Sequence, residues 1–237
     1  MKIAVLADIH GNNIALKKVL DEAKTAGVER LFILGDVVGY YYHPDEAINL
    51  LDSWPKDMII GNHEMMLKKA MKSKKEAERI RAKYGSGIDF ALKKLSKPWL
   101  KKLTKLPITK IKSIDGVRFK LCHGSPWDSD FYIYPDSPKE IMDKCILQGI
   151  DFVLIGHSHY PFVYKKNNTT LINSGSVGQS REEGGYANWI LIDTSDKSFA
   201  LKKTRYDSSE IIKEVKKTDP KIKYLYQVIL RSPKGGK

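Results

Sequence analysis

The sequence predicts an α/β protein built around a sheet that is at least partly parallel. Three observations predict it. Short apolar runs alternate with helically spaced apolar residues over the first 60 positions. Each of those runs ends in aspartate, asparagine or histidine with glycine close by. Beyond residue 107 the expected strands come mostly in pairs around short turn sequences.

Residues 2–7 form a short apolar run that leads into Asp8-Ile9-His10-Gly11-Asn12. Ile14, Leu16, Val19, Leu20 and Ala23 then recur at helical spacing, and Gly27 closes that helix. Residues 31–34 read as a second buried strand, ending in Gly35-Asp36. Pro44 opens a second helix, with Ala47, Ile48, Leu50 and Leu51 apolar. Residues 58–60 are the expected third strand, ending in Gly61-Asn62-His63-Glu64.

Residues 64–106 read as helical, broken at Gly85, Gly87 and Pro98. They are expected as a layer or cap inserted into one domain over 1–237, with Met65, Met66 and Met71 in its core. Residues 108–114 and 117–121 flank Asp115-Gly116, a hairpin signal, and run on into Cys122-His123-Gly124-Ser125-Pro126. Cys122 should point away from His123, into the core. Ile141, Cys145 and Ile146 predict a helix that ends at Gly149.

The apolar run 152–155 delivers Gly156-His157-Ser158-His159, where side chains two apart in extended backbone would point the same way. Residues 162–164 with 169–172, and 188–192 with 199–204, predict two more hairpins. Residues 208–217 predict a last helix, 224–230 a last strand and 232–237 a loose tail.

Composition narrows the class. With 42% hydrophobic and 29% charged residues the chain is that of an ordinary globular protein, not a disordered one. No apolar run approaches the roughly 18 residues of a membrane span. Two cysteines are no disulfide framework, so a cytoplasmic, reduced protein is expected. The net charge of +13 is carried by residues 68–112, which hold 14 lysines and 2 arginines against Glu76, Glu78 and Asp89. That segment is either a solvated helical face or a basic lip for a polyanionic substrate.

Asp8, His10, Asp36, Asn62, His63, His123, His157 and His159 all follow expected strands. In an open α/β sheet, ligands gather at the carboxyl ends of the strands. Residues far apart in sequence are therefore expected on one rim. Carboxylate, imidazole and amide oxygen suit Mn²⁺, Fe, Zn²⁺ or Mg²⁺ better than a soft cation. Eight such groups exceed the needs of one ion and match a two-metal site.

Asp8-x-His10, Gly35-Asp36, Gly61-Asn62-His63-Glu64, His123-Gly124 and Gly156-His157-x-His159 occur in the order of the calcineurin-like metallophosphoesterases. The chain resembles the small bacterial and archaeal phosphodiesterase branch of that superfamily over about residues 2–193. Gly35-Asp36-Val37-Val38-Gly39-Tyr40, His123-Gly124-Ser125-Pro126 and Asn173-Ser174-Gly175-Ser176-Val177-Gly178-Gln179 carry that finer match. Ser174 stands there where the branch has proline, and Trp127 where it often has arginine. The segment after Asp36 lacks the arginine of the Ser/Thr protein phosphatases.

The resemblance implies a four-layer α/β/β/α sandwich, here with a basic helical layer or cap. It implies that Asp8, His10, Asp36 and His159 surround one metal, and that Asp36 bridges to a second held by Asn62, His123 and His157. His63 is left unmetallated, facing the leaving group. The expected reaction is hydrolysis of a phosphate ester by metal-bound hydroxide, with His63 as general acid. Mn²⁺ is the first choice of cation, with Fe, Ni²⁺, Zn²⁺ or Mg²⁺ as alternatives. Tyr40 and Arg181 are candidate substrate contacts, and Tyr40, Tyr41 and Tyr42 either stack a nucleobase or pack the rim. Three functions remain open. One is a phosphodiesterase for small aryl or nucleotide diesters. Another is a nuclease, or a phosphomonoesterase or protein phosphatase, of the same fold. The last is a non-catalytic metal-binding scaffold.

Overall fold

The structure is a computed structural model that describes residues 1–232. Two five-stranded mixed sheets lie face to face between helices. The first sheet has the order β10-β9-β1-β2-β3, from strands β1 (Lys2–Leu6), β2 (Arg30–Ile33), β3 (Lys56–Met58), β9 (Tyr186–Asp193) and β10 (Ser198–Arg205). β1, β2 and β3 are parallel, and the β9–β10 hairpin adds antiparallel to β1. The second has the order β4-β5-β6-β8-β7, from β4 (Lys110–Ile114), β5 (Val117–Leu121), β6 (Phe152–Ile155), β7 (Pro161–Lys166) and β8 (Thr169–Ser174). β5, β6 and β8 are parallel, with β4 and β7 antiparallel at the edges.

The central strands are apolar on both faces because both faces are covered. Ala4, Leu6, Leu31 and Ile33 face the helices α1 (Asn13–Thr25) and α2 (Pro44–Asp52). Their neighbours Ile3, Val5 and Phe32 point the other way, into Phe119, Leu121, Phe152 and Leu154 of the second sheet. Val153 and Ile155 leave the second sheet on its far side, against Met142 and Cys145 of the short α7 (Lys139–Lys144) and its cap. Three cores between four layers give the α/β/β/α order. Cys122 belongs to the third core, and burial pushes its thiol up to about 12.

The basic segment forms α3 (Asn62–Ala70), α4 (Lys74–Tyr84), α5 (Gly87–Lys94) and α6 (Lys97–Leu103). Ser73 caps α4 by accepting from the Glu76 N–H, and Gly85 ends it at φ +86°. Leu67, Ile80, Ile88, Ala91, Leu100 and Leu103 join the same core as α1 and α2. The segment thus extends the first helical layer. α8 (Ser209–Thr218) and α9 (Tyr224–Gln227) complete that layer.

Several expectations are corrected. β3 begins and ends two residues before the predicted 58–60, and Asn62 and His63 open α3. Met65 and Met66 are half-buried, but Met71 is 46% exposed just past the end of α3. The first hairpin strand starts at Lys110, two residues late. The last predicted strand is the one-turn helix α9: Leu225, Val228 and Ile229 are spaced i, i+3, i+4 and are buried together. The tail expected from 232 lies, beyond Ser232, outside the described residues. The Asp115-Gly116 turn forms as read, with φ +50° and +78° at its two central residues.

Candidate metal centre

Five parallel strands aim their carboxyl ends at one rim. β1 supplies Asp8 and His10, β2 Asp36, β5 His123, and β6 His157 and His159, while α3, entered from β3, supplies Asn62 and His63. All eight residues predicted from the sequence meet there. Asp8, His10 and His159 each offer a donor atom within 4.8 Å of the others, and so do Asp36, His123 and His157. A third such group, His10, Asp36 and His63, overlaps both.

The backbone is strained to achieve this. Asp8, His10, Asp36, His157 and His159 have φ of +54°, +53°, +54°, +64° and +62°. A left-handed non-glycine residue costs about 1–2 kcal/mol, so five in one cluster mark a functional site. This also replaces the extended-strand picture of His157 and His159. Both lie past the end of β6 and converge by turning, not by strand alternation.

Each aspartate divides its oxygens. Asp8 Oδ2 accepts from the His157 backbone N–H, and Asp36 Oδ1 accepts from that of His63, both at 2.8 Å. Gly156 and Gly61 make these approaches possible: a Cβ there would lie 2.7 Å from Asp8 Oδ2 and 2.2 Å from Asp36 Oδ1. The other oxygens turn inward. Asp8 Oδ1 is 3.3 Å from His159 Nε2 and 3.8 Å from His10 Nε2. Asp36 Oδ2 is 3.5 Å from His123 Nε2, 3.8 Å from His10 Nε2 and 4.0 Å from His63 Nε2.

The donor set fits metal ions. Nδ1 of His10, His123 and His159 donates to the carbonyls of Val38, Leu34 and Gln179 at 3.2, 2.7 and 2.7 Å. A carbonyl only accepts, so each of these rings keeps a proton on Nδ1 and turns Nε2 inward, the nitrogen that metal-binding imidazoles offer. Nε2 of His10 and Nε2 of His159 face each other at 3.2 Å. Asp8 Oδ1 is buried without a hydrogen-bond partner among the described residues. Converging lone pairs and an orphaned carboxylate oxygen are satisfied by a cation.

Electrostatics agree. Burial pushes His10 and His63 below the usual imidazole value and His157 down to about 4, keeping these rings neutral. Burial raises the Asp8 carboxyl, but His159 and His123 outweigh it and bring it down to about 2. Burial lowers His123, but Asp36 and Asp8 outweigh it and push the ring up to about 10. His123 Nε2 also meets Asn62 Oδ1 at 2.9 Å. A proton there, or a metal ion, holds imidazole, amide oxygen and carboxylate together.

Of the candidate substrate contacts, Tyr40 is 7% exposed and packs on the rings of His10 and His63, with centroids 4.5 and 4.7 Å away. Tyr41 and Tyr42 do not face the centre. They are buried, donating to the Leu225 carbonyl and to Asp219. Arg181 Nε donates to the Tyr224 hydroxyl at 3.1 Å, and its Nη1 reaches the Ser158 carbonyl at 3.5 Å.

Sequence reasoning missed four participants. Glu64 is fully buried and accepts from the N–H groups of Asp36, Val37, Val38 and Gly61 at 2.8, 2.7, 3.2 and 2.9 Å. Its capping-box place, three residues after Gly61, was the available signal. Tyr132 stacks on His157 with centroids 3.9 Å apart, and the Asp130 carbonyl lies 3.2 Å from His157 Nε2. Tyr84 packs against His63 at 5.5 Å. Nothing in the sequence near these three signals such a role.

Relatives share this architecture. An uncharacterised protein of Methanocaldococcus jannaschii is 30% identical, over 91% of this chain and 92% of that protein. The crystal structure of a hypothetical protein from Pyrococcus horikoshii has a TM-score of 0.80 at 23% identity, covering 99% of both chains. That of a metallophosphoesterase from Sphaerobacter thermophilus has a TM-score of 0.73 at 21% identity, covering 92% of this chain and 94% of its own. The profile of the calcineurin-like phosphoesterase superfamily domain matches residues 1–197. The chain belongs to the calcineurin-like phosphoesterase superfamily.

Proposed function

We propose that the chain is a phosphodiesterase dependent on two divalent cations. Asp8, His10, Asp36 and His159 would hold one, and Asp36, Asn62, His123 and His157 the other. Mn²⁺ is the first candidate, with Fe, Ni²⁺, Zn²⁺ and Mg²⁺ as alternatives suited to the same nitrogen and oxygen donors. The observation that carries the reading is Asp36. One of its oxygens is tied to the His63 backbone, and the other faces both His10, on one side, and His123, on the other. When bound, such cations turn water into a nucleophile at neutral pH and neutralise phosphoryl oxygens.

The protein's own groups do the rest. His63 presents Nε2 to the cluster, while its Nδ1 is buried without a hydrogen-bond partner among the described residues. Burial holds the ring below its usual value and Asp36 opposes that. An anionic phosphate seated beside His63 adds to the opposing pull and favours a proton on Nε2, from which it passes to the leaving oxygen. Arg181 would hold a phosphate oxygen, and Tyr40, packed on His10 and His63, would wall the site from water. Tyr40, Tyr84 and Tyr132 pack on the histidine rings of the cluster, and the Asp130 carboxylate lies 3.5 Å from His157 Nε2. The guanidinium of Arg181 would match the one charge of a diester, and the Asp130 carboxylate would disfavour the second charge of a monoester.

The test is turnover of bis(p-nitrophenyl) phosphate against p-nitrophenyl phosphate. The diester should have the higher kcat/KM, lose turnover on chelation and regain it with Mn²⁺. A higher kcat/KM for the monoester would refute the diester preference. Nucleic acid as the diester is the second reading, favoured by the lysines of 68–112. Oligonucleotide affinity that falls steeply with salt would mark it.

A further inference from the structure

Next to the centre lies a cleft of about 200 Å³, whose lining includes Lys69, Arg79, Lys83, Tyr84 and Asp130. Two of these residues also touch the centre. Tyr84 packs on the ring of His63, and Asp130 reaches His157 through its carbonyl and through its carboxylate, the one acidic group in the lining, whose Oδ1 lies 3.5 Å from Nε2. The cleft therefore opens beside the face where His63 meets a leaving group. Its charge is mostly positive and mostly uncommitted. Arg79 is paired with Glu76 at 3.0 Å. Lys69 and Lys83 make no ion pair among the described residues, and the Lys83 ammonium sits 4.9 Å over the Tyr84 ring.

Lysines on a solvated helix face spread apart to reduce their repulsion. Here one from α3 and one from α4 converge on a single concavity with an arginine. We propose that this cleft is a second anion subsite, which binds a phosphate carried by the leaving group. The inference rests on the assignment of His63 to the leaving-group side. It narrows the substrate to phosphodiesters whose departing alcohol bears a further phosphate, with Tyr84 as a wall for the sugar or base between them. That phosphate is either a terminal group on a nucleotide or the next phosphate of an oligonucleotide.

The test compares kcat/KM for the thymidine dinucleotides TpT, pTpT and TpTp with Mn²⁺ present. One of the two phosphorylated compounds, the one whose extra phosphate lies on the departing half, should exceed TpT by about tenfold or more, as a charge-assisted contact gives. Lys69→Gln with Lys83→Gln should erase that ratio, and Lys69→Arg with Lys83→Arg should keep it. If a single terminal phosphate gives the whole gain, the natural anion is a nucleotide's. If the gain continues to grow with oligonucleotide length, it is a nucleic acid's. A wild-type ratio near one, or a ratio that survives the double glutamine change, overturns the subsite. Bis(p-nitrophenyl) phosphate, which has no second phosphate, is the separate control: a wild-type protein inactive on it and on all three dinucleotides would sink the phosphodiesterase reading itself.

Discussion

Glu64 holds Asp36 by its backbone: the buried carboxylate accepts from the Asp36 N–H at 2.8 Å and from Val37 and Val38 just beyond it. Its fourth contact, to the Gly61 N–H, ties the same carboxylate to the loop that delivers Asn62 and His63. One side chain thus sets the distance between two of the segments that form the centre. Asp36 stays left-handed and aims an oxygen at the histidines because Glu64 fixes its frame.

Glu64→Gln should therefore weaken metal binding without touching a proposed ligand. An amide has one acceptor oxygen where the carboxylate has two, and its N–H₂ faces N–H donors. Mn²⁺ affinity measured by titration calorimetry should fall about 10- to 100-fold, the usual cost of losing an outer-shell support. Unchanged affinity would reduce Glu64 to a helix cap.

His63→Ala should separate chemistry from metal binding. Metal content should stay at the wild-type level. Turnover of a diester with an alkyl leaving group should fall by about 10²–10⁴, while p-nitrophenyl esters, whose leaving group needs no proton, change far less. Equal losses on both substrate types would argue that His63 is a ligand, as its proximity to His10 and Asp36 also allows.

Much of this centre was legible because its residues announce themselves. Apolar strands ending in Asp8, Asp36, His123 and His157 put reactive groups at the carboxyl ends of parallel strands, where the fold gathers them. Asp115-Gly116 fixed a hairpin through the φ it demands. Misreadings came where local pattern is ambiguous. Tyr224, Tyr226 and Val228 alternate like a strand, but the buried Leu225, Val228 and Ile229 choose a helix through tertiary packing. Tyr41 and Tyr42 look like a binding surface beside Tyr40, and only the packing of the Leu225 and Asp219 segments shows them buried. Tyr132 and Asp130 reach His157 from a loop with no regular pattern to read.

Metal binding should stabilise the fold, since the left-handed ligands and crowded imidazoles form a site only in the native state. At about 100 times the Kd, Mn²⁺ should add about 2.7 kcal/mol. Thermal melts with Mn²⁺ and with a chelator should differ accordingly, and Asp8→Asn should shrink the difference. Identical melts would mean that no cation binds here.

Away from the centre, Asp57 tests the electrostatics of the sheet edge. Its nearly buried carboxylate pairs with Arg30 at 2.8 Å, with Lys110, and with Lys112 at 3.6 Å. Burial raises its pKa, but Lys110, Lys112 and Arg30 outweigh burial and leave it below the usual carboxylate value. A depressed folded-state pKa gives stability that is full above the unfolded pKa of about 4 and is lost as pH falls through the folded one. Asp57→Asn should cost about 1–3 kcal/mol at pH 7. The gap should close below about pH 4, as followed by denaturant melts across pH. A gap constant down to pH 2 would refute this assignment.

The bridging place of Asp36 is tested most directly by anomalous scattering from crystals soaked in Mn²⁺. Two peaks should appear, one beside Asp8, His10 and His159 and one beside Asn62, His123 and His157, with Asp36 coordinating both. A single peak, or two that do not share Asp36, would contradict the account.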